Sequence, residues 1–199
     1  MENLTKYEHF KKLRKEIATE LLSANAHFNI ISGFLDSPET NNAIIRKYQT
    51  FFNYTLLAHI KLLSISLYNV TKHKKQTGNI PRLLCYIKAH KNLLDEYTED
   101  IAAIEDKLES HTTFLEDVYV LRNQHYAHNQ LNSKELEKTL IEIRDGCQLL
   151  LPDLNEVYDS LSLRYDGTSI FWTFPNAREE VMELLADLTE YKKIKRQIK

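Results

Sequence analysis

Apolar residues recur along this chain at three- and four-residue steps, and polar caps and prolines punctuate the runs. Leu13, Ile17, Leu21, Ala24 and Phe28 mark one helix face. A first helix is expected from a Thr5 N-cap to about residue 35, where Asp36-Ser37-Pro38 ends it. Ser37 then reads as the next cap, with Pro38 at the first helical position. Ile44, Tyr48, Phe51, Phe52, Leu56, Ile60, Leu63 and Leu67 carry a second helix to about residue 71. It is apolar around most of its circumference and is expected to be the central one. After the polar loop at residues 72–78, Asn79 (cap) and Pro81 open a third helix carrying Leu83, Leu84, Ile87 and His90.

A fourth helical run extends from about residue 97 through Ile101, Ile104, Leu108, Leu115, Val118 and Leu121 to about residue 127, with a break expected near residues 110–113. Ser133 caps a fifth helix with Leu136, Leu140, Ile143, Leu150, Leu154, Val157 and Leu161, in which Pro152 should impose a kink. Residues 165–175 have a strand-like composition, with a turn signal at Asp166-Gly167. Asn176-Ala177-Arg178-Glu179 is close to a capping box and opens a last helix over about 177–197, whose basic end suits the helix dipole. The pattern predicts an all-α antiparallel bundle of five to six helices.

Composition narrows this further. The 199 residues suit one domain, and 43% hydrophobic content can fill a core without staples. Four Gly and four Pro are too few turn formers for an all-β sandwich. No two glycines lie close enough for a dinucleotide or P-loop site. Cys85 and Cys147 stand apart, which gives neither a disulfide framework nor a cysteine zinc site. Met1 to Lys6 lacks the apolar core of a signal peptide. The apolar stretch at residues 54–70 is interrupted by His59 and Lys61 and is too short to span a bilayer. A cytoplasmic protein without membrane association is the expectation.

Candidate chemistry concentrates at one place. No histidine has a Glu three residues before it, so the Glu-x-x-His pairs of a di-iron bundle are missing. His125 and His128 have a spacing that could share a metal, but the His-Glu-x-x-His pattern is absent and no third ligand stands out; no metal and no cofactor are expected. The acidic positions between Asp95 and Glu109 fall at helical spacing and read as a solvated face. Arg122-Asn123-Gln124-His125-Tyr126-Ala127-His128 is different, because it closes an apolar-periodic helix. Six helical residues span about 9 Å and turn two side chains about 120° apart, a separation an extended Arg can bridge. Arg122 offers a permanent planar cation for phosphate oxygens. His128 can exchange a proton near neutral pH. Asn123 can hold one of them in place through its amide. Together they form a minimal kit for attack of a ribose 2′-OH on its own phosphate.

The same segment resembles the active-site motif of the HEPN superfamily (higher eukaryotes and prokaryotes nucleotide-binding), written as Arg, four to six residues, His. The chain looks most like the abortive-infection branch. Leu67-Tyr68-Asn69 stands where that branch often has Leu-aromatic-Asp, and Asn79-Ile80-Pro81-Arg82-Leu83-Leu84 follows as a short helix start before the motif helix. The resemblance implies one HEPN-like helical domain over residues 1–199, with its motif core at roughly 20–165. It implies a metal-independent endoribonuclease, a toxin or antiphage effector, in a homodimer whose two motifs share one cleft, with RNA as substrate and an antitoxin or regulatory protein as a further partner. Arg122, Asn123 and His128 would be catalytic, and His125, Tyr126, Asn69, Lys72, Lys74 and Lys75 would contact the substrate. Catalytically silent members imply the alternative, a helical module that binds a nucleotide or a protein. Asn69 lacks the charge of the family's Asp. Gln130 stands where one toxin branch carries a Tyr for adenylylation, so that regulation is not implied.

Charge then changes the picture. The net charge of −2 argues against a polyanionic partner if taken as a whole. Its distribution argues otherwise. Residues 40–94 hold nine basic side chains (Arg46, Lys47, Lys61, Lys72, Lys74, Lys75, Arg82, Lys88 and Lys91) and no acid. Residues 95–117 hold nine acids against Lys107 alone. Such segregation fits either a local RNA-binding face or two helix faces that attract each other across the bundle.

Overall fold

The computed structural model describes residues 2–72, 77–90, 101–127, 133–166 and 177–197. Among them the chain is helical apart from short turns, and no strand occurs. In chain order the helices are α1 (Glu2–Leu35), a 3-10 turn (Glu39–Asn41), α2 (Asn42–Lys47), α3 (Gln49–Thr71), α4 (Ile80–Ala89), α5 (Ile101–Ser110), α6 (Thr112–Ala127), α7 (Ser133–Asp166) and α8 (Ala177–Gln197). The all-α bundle expected from the apolar periodicity is therefore present, with eight α-helices among the described residues instead of five or six.

The extra helices come from two splits. The break expected near residues 110–113 falls at His111, whose Nε2 lies 2.7 Å from Asp153 Oδ2 on α7. The second split divides the expected helix 38–71. Pro38, with ψ 147°, occupies the cap position of the 3-10 turn. Ser37 is no cap there: its hydroxyl accepts from Asn41 Nδ2 at 2.9 Å. Tyr48 then leaves helical geometry (φ −113°, ψ 33°) between α2 and α3. A physical reason lies in the packing. Ile44 and Phe52 both meet Leu185 of α8, with Phe34 beside them. Residues eight apart on a straight helix point about 80° apart, so the bend at Tyr48 brings both onto one neighbour.

The remaining boundaries follow local chemistry. Asn79 Oδ1 accepts from Arg82 N at 2.9 Å and caps α4, with Pro81 in its first turn. Pro152 sits on the exposed side of α7, and the helix continues through it. Tyr165 and Asp166, expected to start a strand-like segment, are the last residues of α7, because the Leu154-Val157-Leu161 face prolongs the helix. The rest of that segment, residues 167–175, lies outside the described residues.

The main core is built around α1, whose Phe10, Leu13, Ile17, Leu21, Ala24 and Ile31 are buried against α3, α4, α7 and α8. Complete burial of such side chains stabilises by about 1.5–3 kcal/mol each. Some polar groups pair inside: Asn25 and Asn155 exchange amide hydrogen bonds of 3.0 and 3.1 Å between α1 and α7, and Ser66 reaches Ser23 at 3.0 Å. Gly33 lets α8 approach α1 closely, since a Cβ there would stand 2.8 Å from Arg178 O and 2.9 Å from Val181 Cβ. Arg178 also pairs with Asp36 at 2.7 Å. The expectation that the helix after Pro38 is central needs correction. Leu56, Ile60, Leu63 and Leu67 of α3 are buried, but its outer side exposes Phe51 (65%), Tyr54 (70%) and Leu62 (44%). An apolar circumference is packed on one side only.

Candidate active site

The site grows from the crossing of α3 and α6. On α6, Leu115 and Val118 are buried, and Tyr119 and Arg122 follow at helical spacing, half-buried. Opposite stand Tyr68 and Thr71 of α3 and Lys72, its C-cap. The Arg122 guanidinium carbon stands 4.2 Å from the centre of the Tyr68 ring. Tyr68 in turn meets Tyr119 edge to face at 5.1 Å and 89°. Thr71 donates its hydroxyl proton to Leu67 O at 2.6 Å, so in the 2.7 Å contact with Tyr119 the phenol donates. Burial raises the Tyr119 pKa and keeps that donor protonated. Lys72 Nζ lies 5.1 Å from the same ring.

Arg122 is thus oriented twice. Its guanidinium carbon sits over the Tyr68 ring, and its Nη1 donates to Asn123 Oδ1 at 3.0 Å. Asn123 accepts that hydrogen bond through its amide oxygen. Asn69 does something else: its Nδ2 donates to Glu20 Oε1 on α1 at 2.9 Å. His125 and Tyr126 lie on the backbone of α6, but the side chains of residues 124–138 are outside the described residues, as are His128, Lys74 and Lys75 altogether. The structure therefore brings Arg122, Asn123 and Lys72 to one corner, sends Asn69 to α1, and gives no geometry for the others.

This corner, on a helical bundle, is where the comparison with known families decides the matter. The family model HEPN_AbiU2, described as AbiU2, matches residues 7–184. The chain belongs to the AbiU2 family of HEPN proteins. No curated protein and no solved structure is significantly similar to it.

As an AbiU2-type HEPN chain, its sequence motif is entered by Arg122, and the structure adds two residues that sequence reasoning did not assign to the site. Tyr68 carries the guanidinium, and Tyr119 fixes Tyr68. The signal for Tyr68 was present in Leu67-Tyr68-Asn69, where the aromatic position could be read beside the Asp position. Nothing in the sequence pointed to Tyr119, whose spacing is that of a core residue.

Two recesses lie nearby. One of about 260 Å³ is lined by Thr71, Lys72, Tyr119, Glu109 and Glu116 among others. A larger groove of about 810 Å³ lies between α6 and α7, and its apolar Phe114, Val118 and Leu149 are accompanied by Asp117, Glu142 and Asp145. Those carboxylates repel a phosphate chain, so the larger groove of this HEPN bundle is the poorer place for one. Among the described residues no group of three or more His, Cys, Asp or Glu could hold a metal ion, and no helix is long and apolar enough to cross a membrane.

Proposed function

We propose that this AbiU2-type HEPN protein is a metal-independent endoribonuclease. The observation that carries the reading is the preorganised Arg122, stacked on Tyr68 and hydrogen-bonded to Asn123, six residues before His128. A guanidinium fixed in this way is ready to stabilise charge on a scissile phosphate without reorganising during the reaction. His128 takes the proton of the 2′-OH or delivers one to the leaving 5′-oxygen, and the second copy in a homodimer supplies the complementary group. The bond broken is P–O5′ and the bond formed is P–O2′, which leaves a 2′,3′-cyclic phosphate and a 5′-hydroxyl. Family membership supports an abortive-infection role, that of a toxin or antiphage effector restrained by an antitoxin or regulatory protein.

Purified protein in the presence of EDTA should cut single-stranded RNA and leave cyclic phosphate ends. Arg122→Ala and His128→Ala should abolish cleavage while leaving the helical circular dichroism unchanged. Undiminished cleavage by His128→Ala, free of contaminating nuclease, would overturn the reading. One observation favours the second reading, a silent module that binds a nucleotide or protein: Asn69 replaces the family's Asp and is tied to Glu20 on α1. Growth assays separate the two. A nuclease toxin inhibits growth on expression and loses that effect with His128→Ala, whereas a binding module is indifferent to the change.

A further inference from the structure

The outer face of α3 combines features that the cleavage corner alone does not need. Tyr54, Lys61 and Tyr68 follow one another at seven-residue steps, and Lys72 comes one turn later. Residues at that spacing share one side of a helix, and two turns advance by about 10.5 Å. The row from Tyr54 to Lys72 is therefore about 27 Å long. Tyr54 is 70% exposed, and Lys61 and Lys72 are exposed. Phe51 (65%) and Leu62 (44%) widen the row on its apolar side. Lys47, exposed at the end of α2, lies over Tyr48 at 4.9 Å and extends the same mixture of cation and ring. The row ends at Tyr68, over which Arg122 sits, and at Lys72, the C-cap of α3, which faces Tyr119.

We infer that this face of α3 is a track for single-stranded RNA that leads the strand to Arg122. The inference rests on the ribonuclease reading and names the form of substrate that the same site takes. Charge complementarity selects the occupant. From Glu39 to Asp95 no acidic residue interrupts the basic ones, so two α3 faces from two copies of the chain would set cation against cation. A partner for this surface brings negative charge at regular intervals and flat apolar faces between. A single strand does both: its phosphates meet Lys47, Lys61 and Lys72, and its unpaired bases stack on Phe51 and Tyr54. A duplex buries its base faces and offers nothing to the exposed rings. Arg122 meets the track at Tyr68, and the recess one turn further on, past Lys72, carries Glu109 and Glu116, whose carboxylates close its far end.

The test uses the full chain and a 20-nucleotide fluorescein-labelled RNA of mixed sequence, 2′-O-methylated so that it cannot be cut. Binding is read by fluorescence anisotropy across a salt series. Tyr54→Ala should weaken binding roughly 5- to 100-fold, and Tyr54→Phe should restore it, since the stacking face is kept. Lys61→Gln should lower the slope of log affinity against log salt by about 0.7, the contribution of one phosphate contact to a single strand. Both residues are exposed, so melting temperatures should stay at the wild-type value. Wild-type affinity in Tyr54→Ala and Lys61→Gln would overturn the track. So would a duplex of the same sequence or a poly-glutamate peptide that competes as well as the single strand, the latter pointing to an acidic protein partner. Cleavage of an unmodified strand is scored separately. Loss of the track with His128-dependent cleavage intact leaves the ribonuclease reading standing, and strand binding through Tyr54 with no cleavage leaves the track standing without it.

Discussion

Replacing Tyr68 by Ala removes the surface on which Arg122 rests at 4.2 Å and the edge-to-face partner of Tyr119 at 5.1 Å. A cation over a ring in a half-buried place contributes about 1 kcal/mol, and an aromatic pair contributes about the same beyond its buried area. With the apolar area of a half-buried ring added, Tyr68→Ala should destabilise the fold by about 2–4 kcal/mol. For a chain of this length that lowers Tm by roughly 4–15 °C. Tyr68→Phe keeps both ring contacts and should cost less than about 1 kcal/mol. The stacking itself is isolated by a double-mutant cycle of Tyr68→Ala and Arg122→Ala, measured by urea unfolding. A coupling of about 1 kcal/mol is expected, because each single change removes the same contact. A coupling below about 0.5 kcal/mol, the usual additivity error for independent sites, would refute the claim that Tyr68 holds the guanidinium. In the cleavage assay the same loss frees Arg122 to occupy other rotamers. Tyr68→Ala should then slow single-turnover cutting about tenfold, equivalent to about 1.4 kcal/mol, while Tyr68→Phe cuts at the wild-type rate.

Gly33→Val places a branched side chain where even a Cβ would meet Arg178 O and Val181 Cβ, so it should destabilise by about 1–3 kcal/mol, seen as a lower urea midpoint. The His27 and His59 rings share a 2.9 Å Nδ1–Nδ1 hydrogen bond between α1 and α3 that requires one neutral acceptor, and burial lowers both pKa values, the His59 charge adding to the effect on His27. The unfolded chain then binds more protons below about pH 6.5, so stability is full above that pH and falls as the pH drops through the folded values. His59→Gln should flatten this part of a Tm-against-pH curve, and an unchanged slope would show the pair is not its source. Asp153, held low by its hydrogen bond with His111, predicts a separate loss in more acidic solution, which His111→Ala should reduce. Asn69→Asp should destabilise by about 1–3 kcal/mol, because it deletes the donor to Glu20 and sets two carboxylates together. The double variant Asn69→Asp with Glu20→Gln should recover most of that loss in thermal melts.

How much of this was legible in the sequence differs from residue to residue for physical reasons. Helix ends were legible where a local device marks them: the Asn79 cap is made within its own turn, and Pro38 bars the α conformation for the residue before it, so α1 stops there. The bend at Tyr48 was not, since it answers to Leu185, more than a hundred residues away. At the site, Arg122 and Asn123 could be read because they are neighbours on one helix, and their hydrogen bond is local. Tyr68 and Tyr119 become site residues only when α3 and α6 cross. The charge segregation was legible as composition but not as a surface. Lys88 is partly neutralised by Glu105 at 2.6 Å, and Lys107 is held by Asp153 and Glu156, so some of the segregated charge does join neighbouring helices. Lys47, Lys61 and Lys72 remain on the exposed side of α2 and α3, beside Tyr54. That subset, and not the total over residues 40–94, is what a phosphate chain would meet. Asn69 makes the same point from the other direction. By its place in the motif it belongs beside Arg122, but its amide satisfies Glu20, a half-buried carboxylate on α1. An Asp at that position would set a second carboxylate against Glu20, so the amide at residue 69 is matched to the acid at residue 20 in the contact between the two helices.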